Sequence, residues 1–228
     1  MYYFYDPTYI LVIIGVILSL WASSNVNSAI NKYRKIASSS GLTAAEAAKE
    51  ILHANGIYNV TIKMISGASS DYYSPSTKEL CLLQENYNST SIASIGIAAH
   101  ECGHAIQDAT EYLPLTIQRH IAPVCSFGST AGFYIAIAGM FLSFDFIIEL
   151  GIILFALGVG ITILLLPIEY NASNRALAIL ENNNMMTRSE LAGAKKVLRA
   201  AGLTYVAAAA SSILSLLRLI MITNRRRN

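Results

Sequence analysis

The stretch Ala98-Ala99-His100-Glu101-Cys102-Gly103-His104-Ala105-Ile106-Gln107 decides how the rest of this chain is read, because it spells H-E-x-x-H. On a helix, residues four apart lie on one face about one turn apart, so both imidazoles can hold a single metal ion. Glu101 then stands beside the open metal position, where it can deprotonate a bound water. The flanks predict that helix. Ile92, Ile95, Ala99 and Ile106 recur at helical spacing and mark a buried face, while Asn88-Ser89-Thr90 offers N-cap candidates. Two core histidines on an amphipathic helix would be the plain alternative. A core would then have to accommodate Glu101 as well, and buried carboxylates are costly. Cys102 points off the metal-facing side and reads as a small packing residue.

The chain has 228 residues, 54% of them apolar and 13% charged, with a net charge of +2. That is too apolar for an ordinary soluble domain and points to the membrane. No basic stretch interleaved with aromatics is present, which argues against nucleic acid as a partner. Cys81, Cys102 and Cys125 are odd in number and irregular in spacing. They make no disulfide framework and fit reduced thiols.

Four hydrophobic segments stand out, at 7–22, 121–144, 150–168 and 202–222. No Lys or Arg precedes the first, so it reads as a retained anchor and not as a secretory signal peptide. Asp145-Phe146-Ile147-Ile148-Glu149 reads as the tip of a hairpin between the second and third. Lys32, Arg34, Lys35, Arg119 and Arg175 follow or precede the segments on one side. The excess of such residues on the cytoplasmic side predicts an outside N-terminus, an outside hairpin tip, and 24–120 and 169–201 inside. The fourth segment conflicts, because a crossing would put Arg225-Arg226-Arg227 outside. Its apolar stripe, Leu203, Val206, Ala210, Ile213, Leu217 and Ile220, suits either a bundle helix or one lying along the inner interface.

A tetrahedral catalytic zinc needs a third protein ligand and leaves the fourth place for water. His53, near the end of an amphipathic helix over 42–54, and His120, at the mouth of the second segment, are both open to that role. Glu169 is the stronger candidate. It follows the charge-free run ending Leu165-Leu166-Pro167-Ile168, and two crossings after His104 return the chain to the side where it began.

The stretch around His100 to Gln107, together with Leu166-Pro167-Ile168-Glu169-Tyr170-Asn171-Ala172-Ser173-Asn174-Arg175-Ala176, resembles the YugP-type family of bacterial membrane zinc metallopeptidases. Residues 42–84 and 197–209 resemble it too, so the likeness covers nearly the whole chain. More distantly, the arrangement is similar to gluzincin membrane proteases of the HtpX and CAAX-prenyl type. The resemblance implies His100, His104 and Glu169 as ligands of one catalytic Zn²⁺ and Glu101 as base. The distant relatives often carry Asp four residues after the ligand glutamate. Ser173 stands there in this chain, so a hydroxyl or a group from elsewhere must support the histidines.

The expected fold is a mainly α membrane protein, with three or four hydrophobic helices and a small α+β zincin-like cytoplasmic metalloprotease domain. Its parts are an anchor (1–23), the H-E-x-x-H region (24–120), a transmembrane hairpin (121–168), a helix carrying the third ligand (169–201) and a C-terminal transmembrane or interfacial helix with a basic tail (202–228). Tyr58-Asn59-Val60-Thr61-Ile62-Lys63-Met64-Ile65 alternates as a strand and predicts pairing with Lys78-Glu79-Leu80-Cys81-Leu82-Leu83. Gly67 to Asp71 and Ser74-Pro75-Ser76 read as turns. The expected activity is a membrane-embedded zinc-dependent endopeptidase in the bacterial plasma membrane, its site facing the cytoplasm. Peptides or membrane proteins are the expected substrates, and Arg175 and Tyr170 are candidate oxyanion stabilisers. The competing expectation is a zinc-binding membrane scaffold or chaperone-like protein without proteolysis. A catalytic base among the ligands favours the enzyme.

Overall fold

The computed structural model describes residues 6–67 and 70–227, and its backbone groups into two compact units. One comprises Ser24–Thr116 with Pro167–Gly202; the other comprises Met1–Ser23, Ile117–Leu166 and Leu203–Asn228. Helices α1 (Tyr9–Tyr33), α5 (Leu113–Leu142), α6 (Asp145–Asn182) and α7 (Arg188–Arg227) are long and apolar enough to cross a membrane. The remaining elements are α2 (Ala44–Ala54), β1 (Thr61–Ile65), β2 (Tyr72–Ser74), β3 (Glu79–Leu83), α3 (Gln84–Tyr87) and α4 (Ile92–Ala109). Mainly helical, with four apolar helices and one small sheet, the chain has the coarse fold class expected of it.

In the first unit, α4 is the central element. Small residues let its neighbours approach: Ala93, Ser94, Gly96, Ala98, Ala99, Cys102, Gly103 and Ala105 are all buried. Ile92, Ile95, Ala99 and Ile106 are buried as the periodicity predicts. The N-cap is Ser91, whose hydroxyl accepts from Ser94 N–H at 3.2 Å; it is not one of the three residues before it. Two of those preceding carbonyls are already engaged, Ser89 by Ala44 N–H and Thr90 by Ser38 N–H. Across α4 lies α2, whose start is a reciprocal Thr43/Glu46 capping box and whose apolar face is Ala44, Ala47, Ala48, Ile51 and Leu52. The buried Cys102 thiol donates to the Ala48 carbonyl at this contact, as fits a packing residue.

The sheet runs β1-β3-β2. The expected pairing forms, with Thr61 opposite Glu79, but it is parallel and starts three residues later than the alternation predicts. Strand β2 lies antiparallel on β3, with Tyr72 opposite Cys81. It is only three residues long and sits between turn signals, so its sequence reads as loop. The expected turn at Gly67 to Asp71 falls partly outside the described residues, at 68–69. Asp71 anchors the end of β3 and the turn of α3: its carboxylate accepts from Leu83 N–H and Asn86 Nδ2, both at 2.7 Å. Asn86 in turn accepts from the Ser94 hydroxyl at 2.9 Å, which ties the sheet to the start of α4. Residues 167–182 of α6 and 188–202 of α7 complete this unit. The turn between them carries Asn184 at φ 53°, and a Thr187/Glu190 capping box starts α7.

The second unit is built on small-residue contacts. Between α5 and α6, Gly132 and Gly139 are spaced by seven, as are Gly151 and Gly158. That is the interval at which one face of a tightly packed antiparallel pair repeats. A Cβ at Gly151 would lie 2.3 Å from Ala136 N, so the two backbones touch there. The link between these helices is only Ser143-Phe144, with Ser143 at φ 61°. The expected five-residue tip at 145–149 is instead the first turn of α6, where Asp145 complements the helix dipole.

Helices α1 and α7 lie side by side and antiparallel. Ser211 donates to the Gly15 carbonyl at 3.0 Å, and Arg218 and Arg225 reach Asp6 at 3.5 and 3.3 Å. The Arg218 guanidinium also sits 4.2 Å from the Tyr9 ring centroid. The apolar stripe of α7 therefore does not face the protein along its length. Val206, Ile213 and Leu217 are exposed, while the Ser211 and Arg218 side is inward. That is the arrangement expected of a helix in lipid, which cannot satisfy polar atoms.

Replacing Gly151 with Ala should separate α5 and α6 and destabilise the protein by about 1–3 kcal/mol, the usual cost of overpacking. Gly160→Ala, where nothing lies within 4 Å of the added methyl, should be neutral. Thermal unfolding in detergent, run on both variants, reads the difference.

Candidate metal centre

Three side chains from two helices converge in the first unit. His100 and His104, one turn apart on α4, point their Nε2 atoms at the same oxygen of Glu169 on α6, at 3.1 and 3.6 Å. Among the described residues this is the one group of His, Cys, Asp or Glu side chains arranged to hold a metal, with donor atoms all within 4.8 Å of one another. A tetrahedral ion with ligand bonds of about 2.0–2.1 Å needs its donors about 3.3 Å apart. The arrangement therefore fits zinc, with the fourth place open. His53 stacks beside Tyr58, and neither it nor His120 joins the group.

The convergence depends on how closely α4 and α6 approach. A Cβ at Gly103 would lie 2.5 Å from the Ala172 carbonyl oxygen and 3.0 Å from its carbonyl carbon. Only glycine admits that contact, and Ala172 stands three residues from Glu169. Gly103 occupies an unspecified position of the motif, so the sequence pattern alone does not single it out.

Each imidazole is held through its other nitrogen. Ser173 Oγ stands 3.1 Å from His100 Nδ1, so a hydroxyl supports that imidazole. For His104 the partner is Gln107, fully buried and one turn further along α4. Its Nε2 donates to the Ile168 carbonyl at 2.8 Å and to Asn171 Oδ1 at 3.0 Å. That leaves Gln107 Oε1 to accept from His104 Nδ1 at 3.0 Å. Arg175 Nε, a donor that cannot act otherwise, binds the same Asn171 oxygen at 2.8 Å. The chain Arg175–Asn171–Gln107 thus fixes the proton on His104 Nδ1 and frees the Nε2 lone pair for a metal. Arg175 belongs to this buttress. Tyr170, half exposed, lines a groove with Glu169 and Ser173.

Glu101 is 8% exposed and makes no hydrogen bond or ion pair with any described residue. Burial raises its carboxyl above the usual range, opposed by His100 and His104. Burial on its own would lower the His104 imidazole. The Glu169 carboxylate, together with Glu101 and the Gln107 amide, more than offsets this and raises it to about 9.

Residues 8–224 match the family model described as "Putative neutral zinc metallopeptidase". The chain is 41% identical over 212 residues to "Putative membrane protease YugP" of Bacillus subtilis (strain 168), a match covering 93% of this chain and 94% of that protein. No solved structure matches. The two matches bear out the YugP-type resemblance read in the sequence.

Gln107→Leu keeps the bulk and removes both ends of the amide. It should weaken zinc affinity by about 10–100-fold, the range found for groups supporting metal ligands. Competition with a chromophoric chelator measures this, and an unchanged affinity would show that Gln107 does not orient His104.

Proposed function

We propose that this chain, which belongs to the neutral zinc metallopeptidase family, is a multi-pass endopeptidase of the plasma membrane holding one catalytic zinc through His100, His104 and Glu169. The observation that carries the reading is Glu101: a buried carboxylate without a protein partner, beside three convergent metal donors. A site built only to hold a metal has no need of an unpaired carboxylate there, since such a group costs stability. Zinc, when bound, supplies Lewis-acid polarisation of the peptide carbonyl and makes water acidic enough to act near neutral pH.

The chain's own groups do the rest. Glu101 accepts a proton from the attacking water and returns it to the leaving amine. His100 and His104 keep their orientation through Ser173 and Gln107. Tyr170, which lines the groove beside Glu169, is a candidate for stabilising a developing oxyanion. Packing of β2 against α4, with β2 at the sheet edge, supports a zincin-like reading in which an extended peptide adds alongside that edge.

The orientation follows from charge and from the helix pair. The Lys and Arg excess supports a cytoplasmic location for 24–120 and 169–201. The antiparallel run of α7 along α1 supports a crossing by α7 as well, which would leave residues 6 and 225 on the outer side. Asp6 offsets part of the positive charge this leaves there.

The purified protein and Glu101→Gln should both carry about one zinc per chain, with cleavage of an unfolded membrane protein lower in the variant by at least about 100-fold. Equal cleavage in both, or no zinc in either, rules the mechanism out. For the topology, Asn224→Cys should react with an impermeant maleimide in intact cells and Lys196→Cys only after lysis. The opposite pattern would reverse the orientation, and two cysteines labelled only after lysis would mean that α7 does not cross.

A further inference from the structure

A groove of about 350 Å³ starts at Glu169 and runs between α6 and α7. Glu169, Tyr170 and Ser173 line its inner end; Lys195 and Arg199, one turn apart on α7, line its other wall. Both cations are exposed and neither has an ion pair or hydrogen bond with any described residue. Glu181, also without a partner, lies at the end away from the metal. A Cβ at Gly202 would lie 3.9 Å from the Tyr170 ring, so Gly202 stands level with the metal-ligand end of α6. At about 1.5 Å of rise per helical residue, Arg199 then lies about 4–5 Å along the groove and Lys195 about 10 Å. An extended peptide advances about 3.3 Å per residue.

Resting on the zinc endopeptidase reading, we propose that this groove selects peptides carrying an acidic side chain two to four residues from the scissile bond, held by Arg199 and Lys195. An arginine fork and a lysine a turn apart bracket one such carboxylate in neighbouring registers. Glu181 lies beyond that position and repels a more distant acid, which limits the preference to the near residues. Lys195 and Arg199 make no hydrogen bond or ion pair with the metal donors or Glu101, so they act on substrate choice and leave the chemistry alone.

The test measures binding apart from cleavage. Full-length Glu101→Gln protein, zinc-loaded in a neutral detergent, is titrated with a fluorescent peptide bearing Asp-Glu in an otherwise neutral sequence, and with its Asn-Gln counterpart. The acidic peptide should bind about five to ten times more tightly, as two partly exposed ion pairs allow. Lys195→Glu with Arg199→Glu should abolish or invert the preference with zinc content unchanged, whereas Lys195→Arg with Arg199→Lys should keep it. Equal binding of the two peptides, or a preference that survives charge reversal, overturns the proposal. So does a reversal that weakens only association with phosphatidylglycerol vesicles relative to phosphatidylcholine, which would make the pair a headgroup anchor. Failure of the endopeptidase reading itself looks different: the acidic preference stands in the binding assay, yet the unmutated protein cleaves neither peptide.

Discussion

The candidate metal centre rests on one contact, the approach of two helix backbones at Gly103 and Ala172. Two histidines four residues apart define a face, but a face holds an ion only when a third donor is brought to it. Here that donor sits on α6, and a single methyl group at position 103 would push α6 away. The small residues along α4 extend the same logic. They give up side-chain contacts in exchange for proximity, and the helix becomes the piece against which α2, the sheet, α6 and α7 are all set.

Around that contact the polar groups form a directed arrangement. Arginine has no acceptor, so its Nε–H decides which way Asn171 faces, Asn171 helps decide the orientation of Gln107, and Gln107 decides the tautomer of His104. Proton positions are fixed by a chain of groups whose first member cannot be reversed. Glu101 is the exception. It stands outside this network, and its isolation is what sets it apart from the ligands.

Much of this was legible in the sequence. His100, Glu101 and His104 are announced by their spacing, and Glu169 by its place at the end of a charge-free run on the side to which the chain returns. The supporting residues were less visible because their roles depend on helix-to-helix distances. Gly103 fills a position the motif leaves open, and Gln107 lies one turn beyond a ligand without a spacing rule of its own. An amide three residues after a candidate ligand was the available signal. Arg175 has the charge expected of an oxyanion group, but its own helix offers Asn171 one turn back, and that local partner takes its Nε–H. Strand β2 escaped because three residues between turns carry no periodicity. The stripe on α7 is readable, but its direction inverts in a bilayer, where the polar side faces protein.

The pairing of α1 with α7 has a consequence for how the chain is made. Gly15 and Ser211 are separated by 196 residues, yet they share a hydrogen bond. At about 5–20 residues per second, the first helix emerges from the ribosome roughly 10–40 seconds before its partner. During that interval Asp6 has neither of its arginines, and Ser19 has only the Gly15 carbonyl of its own helix to bond. The contact between α1 and α7 can therefore form only once the last helix has been synthesised.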